Sequence, residues 1–319
     1  MQAQKKYPLN QSPLYGLSNR RILYELLVEN NSLLNSPHNN KKLGRVLSEI
    51  NNISKFKTLL EEKNYRVFEE KSGRLIQDPK PFLKLVHKKL ANLLSRIETP
   101  HYLHSGVKRK SYVTNATHHL KTSSYVLTLD LSKFYQSSSK EFIFKAFRYD
   151  FNMSDDVAWL VTDIVNYNGF LPTGSPVSQL IAFFTYQRTF DKINGMAEKR
   201  HINFSLYVDD MAFSSNKAIP NNMEDLVTKE FENVGLKIKH EKTKKYTRKQ
   251  VKTITGCDIY PNGELKVPEK RRTEIIQTFE KINKLSEEER KSILGKIQAA
   301  RQIEPNIFET ELHYLISKK

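Results

Sequence analysis

Apolar and polar positions alternate along the middle of the chain, and helical spacing takes over on either side. Phe204 to Ser214 reads F-S-L-Y-V-D-D-M-A-F-S, with apolar and aromatic residues flanking two adjacent aspartates. That pattern predicts two short strands meeting in a turn, with Asp209 and Asp210 at the tip of the hairpin. Tyr125 to Leu131, Y-V-L-T-L-D-L, predicts a buried strand that ends in Asp130. Tyr65 to Ile76 predicts a further hairpin, turning at Ser72-Gly73 and carrying Arg66 and Arg74 on its two strands. Phe82 to Ile97 is spaced as an amphipathic helix, apolar at Leu83, Val86, Leu90, Leu93 and Leu94 and basic at Lys84, Lys88 and Lys89.

Helices are also predicted over Ser139 to Asp150, Asp155 to Tyr167, Leu180 to Phe190, and Met223 to Val234, where Gly235 supplies a C-cap. Two prolines and two glycines make Gly169 to Ser178 a loop. Gly106 to Ser111 is a short basic loop leading to Asn115 and His119. Thr253 to Leu265 predicts a hairpin turning at Pro261-Asn262-Gly263, and from Pro268 onward the pattern is helical, basic and amphipathic. At the start, Asn19 to Leu34 and Leu43 to Leu60 form a helical lead-in joined by the polar stretch Asn35 to Lys42.

Charge changes this picture more than size does. The 319 residues, 38% of them hydrophobic, suffice for one large domain or a few packed subdomains. Lys and Arg number 52 against 35 Asp and Glu, a formal net charge of +17, so the expected partner is a polyanion, nucleic acid before an anionic membrane. From Lys237 to Lys252 eight basic residues accompany the single acid Glu241. Such a run is either a solvated face or a phosphate-binding surface whose affinity falls with salt. No apolar run approaches the length of a membrane span and no secretory leader is visible, so a cytoplasmic protein without a membrane partner is expected. Cys257 is the only cysteine, which excludes an intramolecular disulfide and argues against a structural zinc site.

The candidate chemistry rests on three carboxylates. Adjacent aspartates in a turn are often solvated turn formers. A third aspartate closing a neighbouring strand changes the balance, because three such carboxylates suit a pair of Mg²⁺ ions about 4 Å apart, the arrangement used for phosphoryl transfer.

Taken together, the motifs resemble those of retron-type bacterial reverse transcriptases. Tyr207-Val208-Asp209-Asp210 resembles the YxDD box, Asp130 with Phe134-Tyr135 the first palm aspartate and its following aromatics, and Leu171 to Ser178 the LPQGxPxSP box. Asn115-Ala116-Thr117-His118-His119 matches the NAxxH element of the retron branch, and the resemblance covers roughly Tyr65 to Pro268. It implies an α+β right-hand polymerase with a ferredoxin-like antiparallel palm sheet and helical fingers and thumb. Residues 1–123 would be the lead-in and fingers, 124–262 the palm with fingers helices inserted at about 160–195, and 263–319 the thumb.

The resemblance also implies roles. Asp130, Asp209 and Asp210 would be catalytic and, with the backbone carbonyl of Leu131, would hold two Mg²⁺ ions. Arg66, Arg74, Tyr135 (as steric gate), Pro172 and Gly174 would bind the dNTP, and Asn115, His119, Tyr207, Lys242 and Gly256 the RNA or primer. Thr173 stands where the family's box usually has Gln, which removes an amide contact from that position. The implied partners are a cognate structured noncoding RNA with its cDNA product and an effector protein encoded nearby. The implied product is multicopy single-stranded DNA, a branched RNA-DNA hybrid primed from an RNA 2′-OH, with a role in antiphage defence. The rival readings are another bacterial reverse transcriptase, intron-like or of the abortive-infection type, and a noncatalytic RNA-binding protein on a polymerase fold.

Overall fold

The computed structural model describes residues 6–29, 64–70 and 72–317. They form two compact units, each assembled from separated stretches of chain. The first comprises Met1–Pro100, Leu131–Ile193 and Val227–Ile238, and the second His101–Asp130, Asn194–Leu226 and Lys239–Lys319. Helices and antiparallel sheets make up both, so the fold is α+β as expected.

In the first unit, helix α1 (Arg20–Tyr24) starts at Asn19, whose side chain accepts the Arg21 N–H at 2.7 Å, and runs on into a π-helical turn over Glu25–Glu29. The expected continuation to Leu34, the linker Asn35 to Lys42 and the helix Leu43 to Leu60 lie outside the described residues. Strands β1 (Tyr65–Glu69) and β2 (Leu75–Pro79) pair antiparallel, with Arg66 opposite Asp78. Gly73 adopts φ +79°, which a side chain would oppose, and so permits the tight connection. Arg74 sits in that connection and not on a strand, because its carbonyl oxygen closes the turn by accepting the Glu70 N–H at 2.9 Å. Helix α2 (Pro81–Ser95) begins with Pro81 in its first turn, where a missing N–H costs nothing, and buries the predicted apolar stripe.

This unit also holds α3 (Phe134–Ser137), α4 (Lys140–Lys145) with a π-helical turn Ala146–Asp150, α5 (Asp155–Val165) and most of the expected helix Met223–Glu232. Helix α6 (Ser178–Glu198) is longer than the apolar run predicts, because polar residues extend it well beyond Phe190. Buried His87 cross-links the unit: Ile164 O lies 2.7 Å from its Nε2 and Ser175 Oγ 2.7 Å from its Nδ1.

A four-stranded antiparallel sheet in the order β4-β5-β3-β6 organises the second unit: β3 is Tyr125–Asp130, β4 Asn203–Tyr207, β5 Asp210–Ser215 and β6 Lys244–Tyr246. Strand β6 comes from the segment that sequence reading treats as a basic run. Its pairing with β3 is decided by the sheet edge available to it and not by its own propensity. A second sheet, β7 (Lys252–Ile254), β8 (Cys257–Ile259) and β9 (Leu265–Lys266), has two turns where one was expected. Thr255 and Gly256, both at positive φ (45° and 76°), make the tight β7–β8 hairpin, and Gly263 serves the expected turn between β8 and β9. Lys252 is buried inside the basic run, its ammonium donating to the carbonyls of Arg248 and Gln250, so it is no phosphate ligand.

Three further helices follow, α7 (Glu269–Phe279), α8 (Glu287–Ile303) and α9 (Glu309–Ser317), the second opened by a reciprocal Ser286–Glu289 capping box. Their apolar faces, through Ile275, Ile293, Ile297 and Leu315, share one core with Val126 and Ala212 of the four-stranded sheet.

Candidate active site

The three carboxylates converge because of strand register. Asp130 ends β3 and Asp210 begins β5, and the two are direct partners across the antiparallel pair. Tyr207, the last residue of β4, is paired with Asp210 from the other side. Only Val208 and Asp209 connect β4 to β5. A two-residue loop of this kind requires positive φ, and Val208 adopts +61° despite its β-branched side chain. That conformation costs on the order of 1–3 kcal/mol. The Val208 N–H, 2.9 Å from Ser105 Oγ, offsets part of it.

Lys242 reaches this carboxylate cluster, its Nζ 3.0 Å from Asp130 Oδ2, and the bond to Asp130 holds the ammonium charged above its ordinary range. Asp210 opens onto solvent on one side. Even so, surrounding protein, followed by the negative charges of Asp209 and Asp130, raises its carboxyl from 3.8 to about 7. Because one side stays wet, the like-charge repulsion is the part that a bound cation would reverse.

Among the described residues no three His, Cys, Asp or Glu side chains are gathered closely enough to grip a metal as they stand. The donor set nevertheless fits one. It consists of hard carboxylate oxygens, as Mg²⁺ prefers, and their mutual repulsion is partly met by the charge of Lys242. Leu131, next to Asp130, is buried and bridged to Ile238. In that bridge the Asp130 carbonyl is taken by the Lys239 N–H at 2.8 Å.

A cleft of about 450 Å³ opens from Asp130 and Asp210 and is lined by Tyr207, Lys242, Lys244 and the β7–β8 hairpin with Gly256 at its turn. The φ of +76° is what calls for glycine at 256, since a Cβ there would meet only the mobile end of Arg271 at 3.1 Å.

Asn115 and His119, expected as RNA or primer contacts, are both completely buried. Asn115 lies on the short helical stretch Tyr112–Thr117, where its Nδ2 donates to Thr255 Oγ1 at 3.3 Å and so braces the strained hairpin turn. His119 stands between β4 and β5 with Ser205 Oγ and Ser214 Oγ each 2.7 Å from a ring nitrogen. Burial lowers it to about 3, which keeps it neutral. His119 thereby positions β4 and β5 beside the aspartates, while Asn115 holds the β7–β8 turn and also lines the cleft that opens from Asp130 and Asp210.

The residues expected to bind the nucleotide belong to the first unit. Tyr135 is half-buried, its ring stacked on Phe134 at 5.9 Å, and its carbonyl accepts the Leu171 N–H at 3.1 Å. The Pro172 carbonyl accepts the Ser178 hydroxyl at 2.7 Å. Gly174 donates its N–H to Gln77 O at 3.2 Å, and a Cβ at this position would fall 2.8 Å from both that oxygen and Ile76 Cγ2. Glycine is therefore needed here for packing on β2. Thr173 binds the same neighbour: its N–H and hydroxyl each lie 3.1 Å from Gln77 Oε1, and the hydroxyl lies 3.0 Å from Leu75 O. Arg66 is exposed, its guanidinium 4.8 Å above the Phe68 ring.

Sequence reading missed Gln77, His87, Ser105, Ser205 and Ser214. The one signal available for the last two was a serine at an otherwise apolar strand position.

The family profile described as reverse transcriptase (RNA-dependent DNA polymerase) matches residues 60–272, more than half of the chain. The chain belongs to the reverse transcriptase family. It is similar to the Retron Se72 reverse transcriptase of Salmonella heidelberg (strain 579083-10), 29% identical over 172 residues, covering 52% of this chain and 45% of that protein. It is also similar to the Retron Ec83 reverse transcriptase of Escherichia coli, 25% identical over 253 residues, covering 74% of this chain and 80% of that protein. The chain thus spans less than half of the Se72 enzyme and most of the Ec83 enzyme. Among solved structures, a foamy viral protease-reverse transcriptase in complex with double-stranded DNA aligns with TM-score 0.45 at 16% identity, over 79% of this chain and 38% of the other. Telomerase from Candida albicans aligns with TM-score 0.47 at 11% identity, over 80% of this chain and 56% of the other.

Proposed function

We propose that this chain is an RNA-directed DNA polymerase of the retron type, which copies part of its own structured noncoding RNA. The observation that carries the reading is the pairing of Asp130 with Asp210 across β3 and β5, with Asp209 in the adjoining turn. In this reading residues 1–123 form the lead-in and fingers, 124–262 the palm and 263–319 the thumb.

Asp130, Asp209, Asp210 and the Leu131 carbonyl would hold two Mg²⁺ ions. When bound, the ions would ease deprotonation of the primer hydroxyl and neutralise charge on the triphosphate. The chain's own residues supply position and charge. Lys242 holds the Asp130 carboxylate through an ion pair of 3.0 Å. Arg66 and Arg74, both exposed, suit the triphosphate because a guanidinium fork can engage phosphate oxygens in pairs. Tyr135 is the aromatic that would pack beneath the dNTP sugar and reject a 2′-hydroxyl. Pro172 and Gly174 shape the loop behind it, braced on β2. Tyr207, Lys242 and Gly256 line the cleft in which the primer terminus would lie.

The product would be a branched RNA-DNA hybrid, the multicopy single-stranded DNA of retrons, primed from an RNA 2′-OH. An effector protein and a role in antiphage defence complete the proposal, in a cytoplasmic setting. Similarity to the named retron enzymes supports these points. No helix among the described residues is long and apolar enough to cross a membrane.

The test is dNTP incorporation on a primed RNA template with Mg²⁺, comparing the wild type with the Asp209→Asn/Asp210→Asn double variant. Synthesis by the wild type that disappears in the variant supports the proposal. Absence of synthesis on both generic template and RNA co-purified from the host would sink it.

A further inference from the structure

A second concavity lies at the far end of β3 from the catalytic aspartate. Tyr125 opens the strand and Asp130 closes it, so at about 3.3 Å per residue the two are roughly 17 Å apart. On this side β6 is the edge of the sheet, with Tyr246 opposite Val126 and Lys245 opposite Leu127. Tyr125, Tyr246 and Lys245 join Ile219 and Pro220, from the loop after β5, and Thr247 around a cavity of about 230 Å³.

Three properties of this cavity narrow what it can hold. Its volume is below the roughly 300–1,000 Å³ of sites for drug-sized ligands and suits a single planar ring system. Its walls are apolar and aromatic, with both tyrosines half-buried, so that a ring entering it would stack. Lys245 lines the cavity, and Lys217, Arg248 and Lys249 are exposed on the loops that follow β5 and β6. Glu224, the acid facing them, is occupied by Lys245 at 2.9 Å and His240 at 3.1 Å. A flat apolar slot with cations beside it suits an unpaired nucleobase whose flanking phosphates lie outside. Proteins read single-stranded RNA in this way, by stacking splayed bases on aromatic side chains.

We propose that this cavity captures one extrahelical base of an RNA partner, stacked against Tyr246, with the neighbouring phosphates on Arg248 and Lys249. The site would anchor structured RNA to the palm sheet away from the catalytic aspartates. The proposal rests on the reading of the chain as an RNA-binding reverse transcriptase, and its test does not depend on catalysis.

The test uses the full-length protein and two RNA hairpins, one with a single bulged 4-thiouridine and one fully paired. The wild type should bind the bulged hairpin about tenfold more tightly or better. Ultraviolet cross-linking should attach the bulged base to peptides containing Tyr125 or Tyr246. Tyr246→Leu, which keeps an apolar side chain, should erase the preference while leaving Mg²⁺-dependent incorporation on a generic primed template intact. Arg248→Gln/Lys249→Gln, at exposed positions with no packing role, should weaken both hairpins and flatten the salt dependence of binding. Equal wild-type affinity for the two hairpins, or cross-links confined to other segments, would overturn the proposal, including in favour of a protein segment as occupant. Loss of incorporation in the wild type would instead count against the polymerase reading.

Discussion

Asp130 and Asp210 face each other as direct partners in the antiparallel pair of β3 and β5, and the charge of Asp130, after burial and the charge of Asp209, helps hold the Asp210 carboxyl above its ordinary value. Lys242, 3.0 Å from Asp130, brings a positive charge to the pair. The site is therefore poised for cations.

Activity should rise with pH through about 7, because Asp210, raised to that value by its surroundings, must ionise before it can ligate a cation. Lys242→Gln removes a positive charge that pulls the other way and should move this limb to higher pH. Single-nucleotide incorporation from pH 6 to 9 at saturating dNTP would check it. A limb that stays in place in the variant would mean that another group sets it.

In metal-free protein the same residue makes a stability prediction. The folded carboxyl of Asp210 lies above its unfolded value of 3.8, so its stabilising contribution is complete below that value and is lost as pH rises through about 7. Asp210→Asn should thus raise the metal-free Tm at pH 8 while cutting incorporation by about 10³-fold or more, the effect of about 4 kcal/mol on a barrier. Mg²⁺ should raise the Tm of the wild type and have little effect on the variant. A variant that melts lower than wild type at pH 8 would refute the repulsion.

Gly174→Ala should destabilise the protein by about 1–3 kcal/mol, since the added methyl would meet the Gln77 carbonyl and Ile76 at 2.8 Å. Because the loop is also proposed to face the nucleotide, KM for dNTP should rise more than kcat falls. Unchanged urea midpoint and KM would show that β2 yields easily.

His119→Leu removes the shared partner of Ser205 and Ser214 and should cost about 1–3 kcal/mol at pH 7, chiefly through the Ser205 hydroxyl, since Ser214 keeps its bond to the Thr122 hydroxyl at 2.7 Å. The sign of its pH effect is opposite to that of Asp210. With a folded pKa lowered from 6.5 to about 3, His119 contributes stability that is present above pH 6.5 and lost as pH falls toward 3. The penalty of the variant, read from urea midpoints, should therefore shrink between pH 7 and pH 5. A constant penalty would assign the loss to packing alone.

Much of this was legible in the chain itself. Alternation in Tyr125 to Leu131 and Phe204 to Ser214 located β3, β4 and β5, and the helical stripes located α2, α5 and the C-terminal helices. What failed was assignment by local character. Lys252 looked like surface charge and is buried against carbonyls, and nothing local showed that Asn115 would bond Thr255 or His119 the serines of β4 and β5. Polarity in the sequence does not say whether a group's partner is solvent, ligand or protein.

The amino-acid sequence by itself determined which carboxylates are available, the strands that carry them and the tight turn that separates β4 from β5, because side-chain periodicity and turn chemistry act over a few residues. Tertiary structure alone decided that Asp130 stands opposite Asp210, that Lys242 neutralises the pair, that Gln77 clamps Thr173, and that β6 completes the sheet. Each of these joins segments tens of residues apart, and strand register and packing, which no local pattern encodes, set their distances.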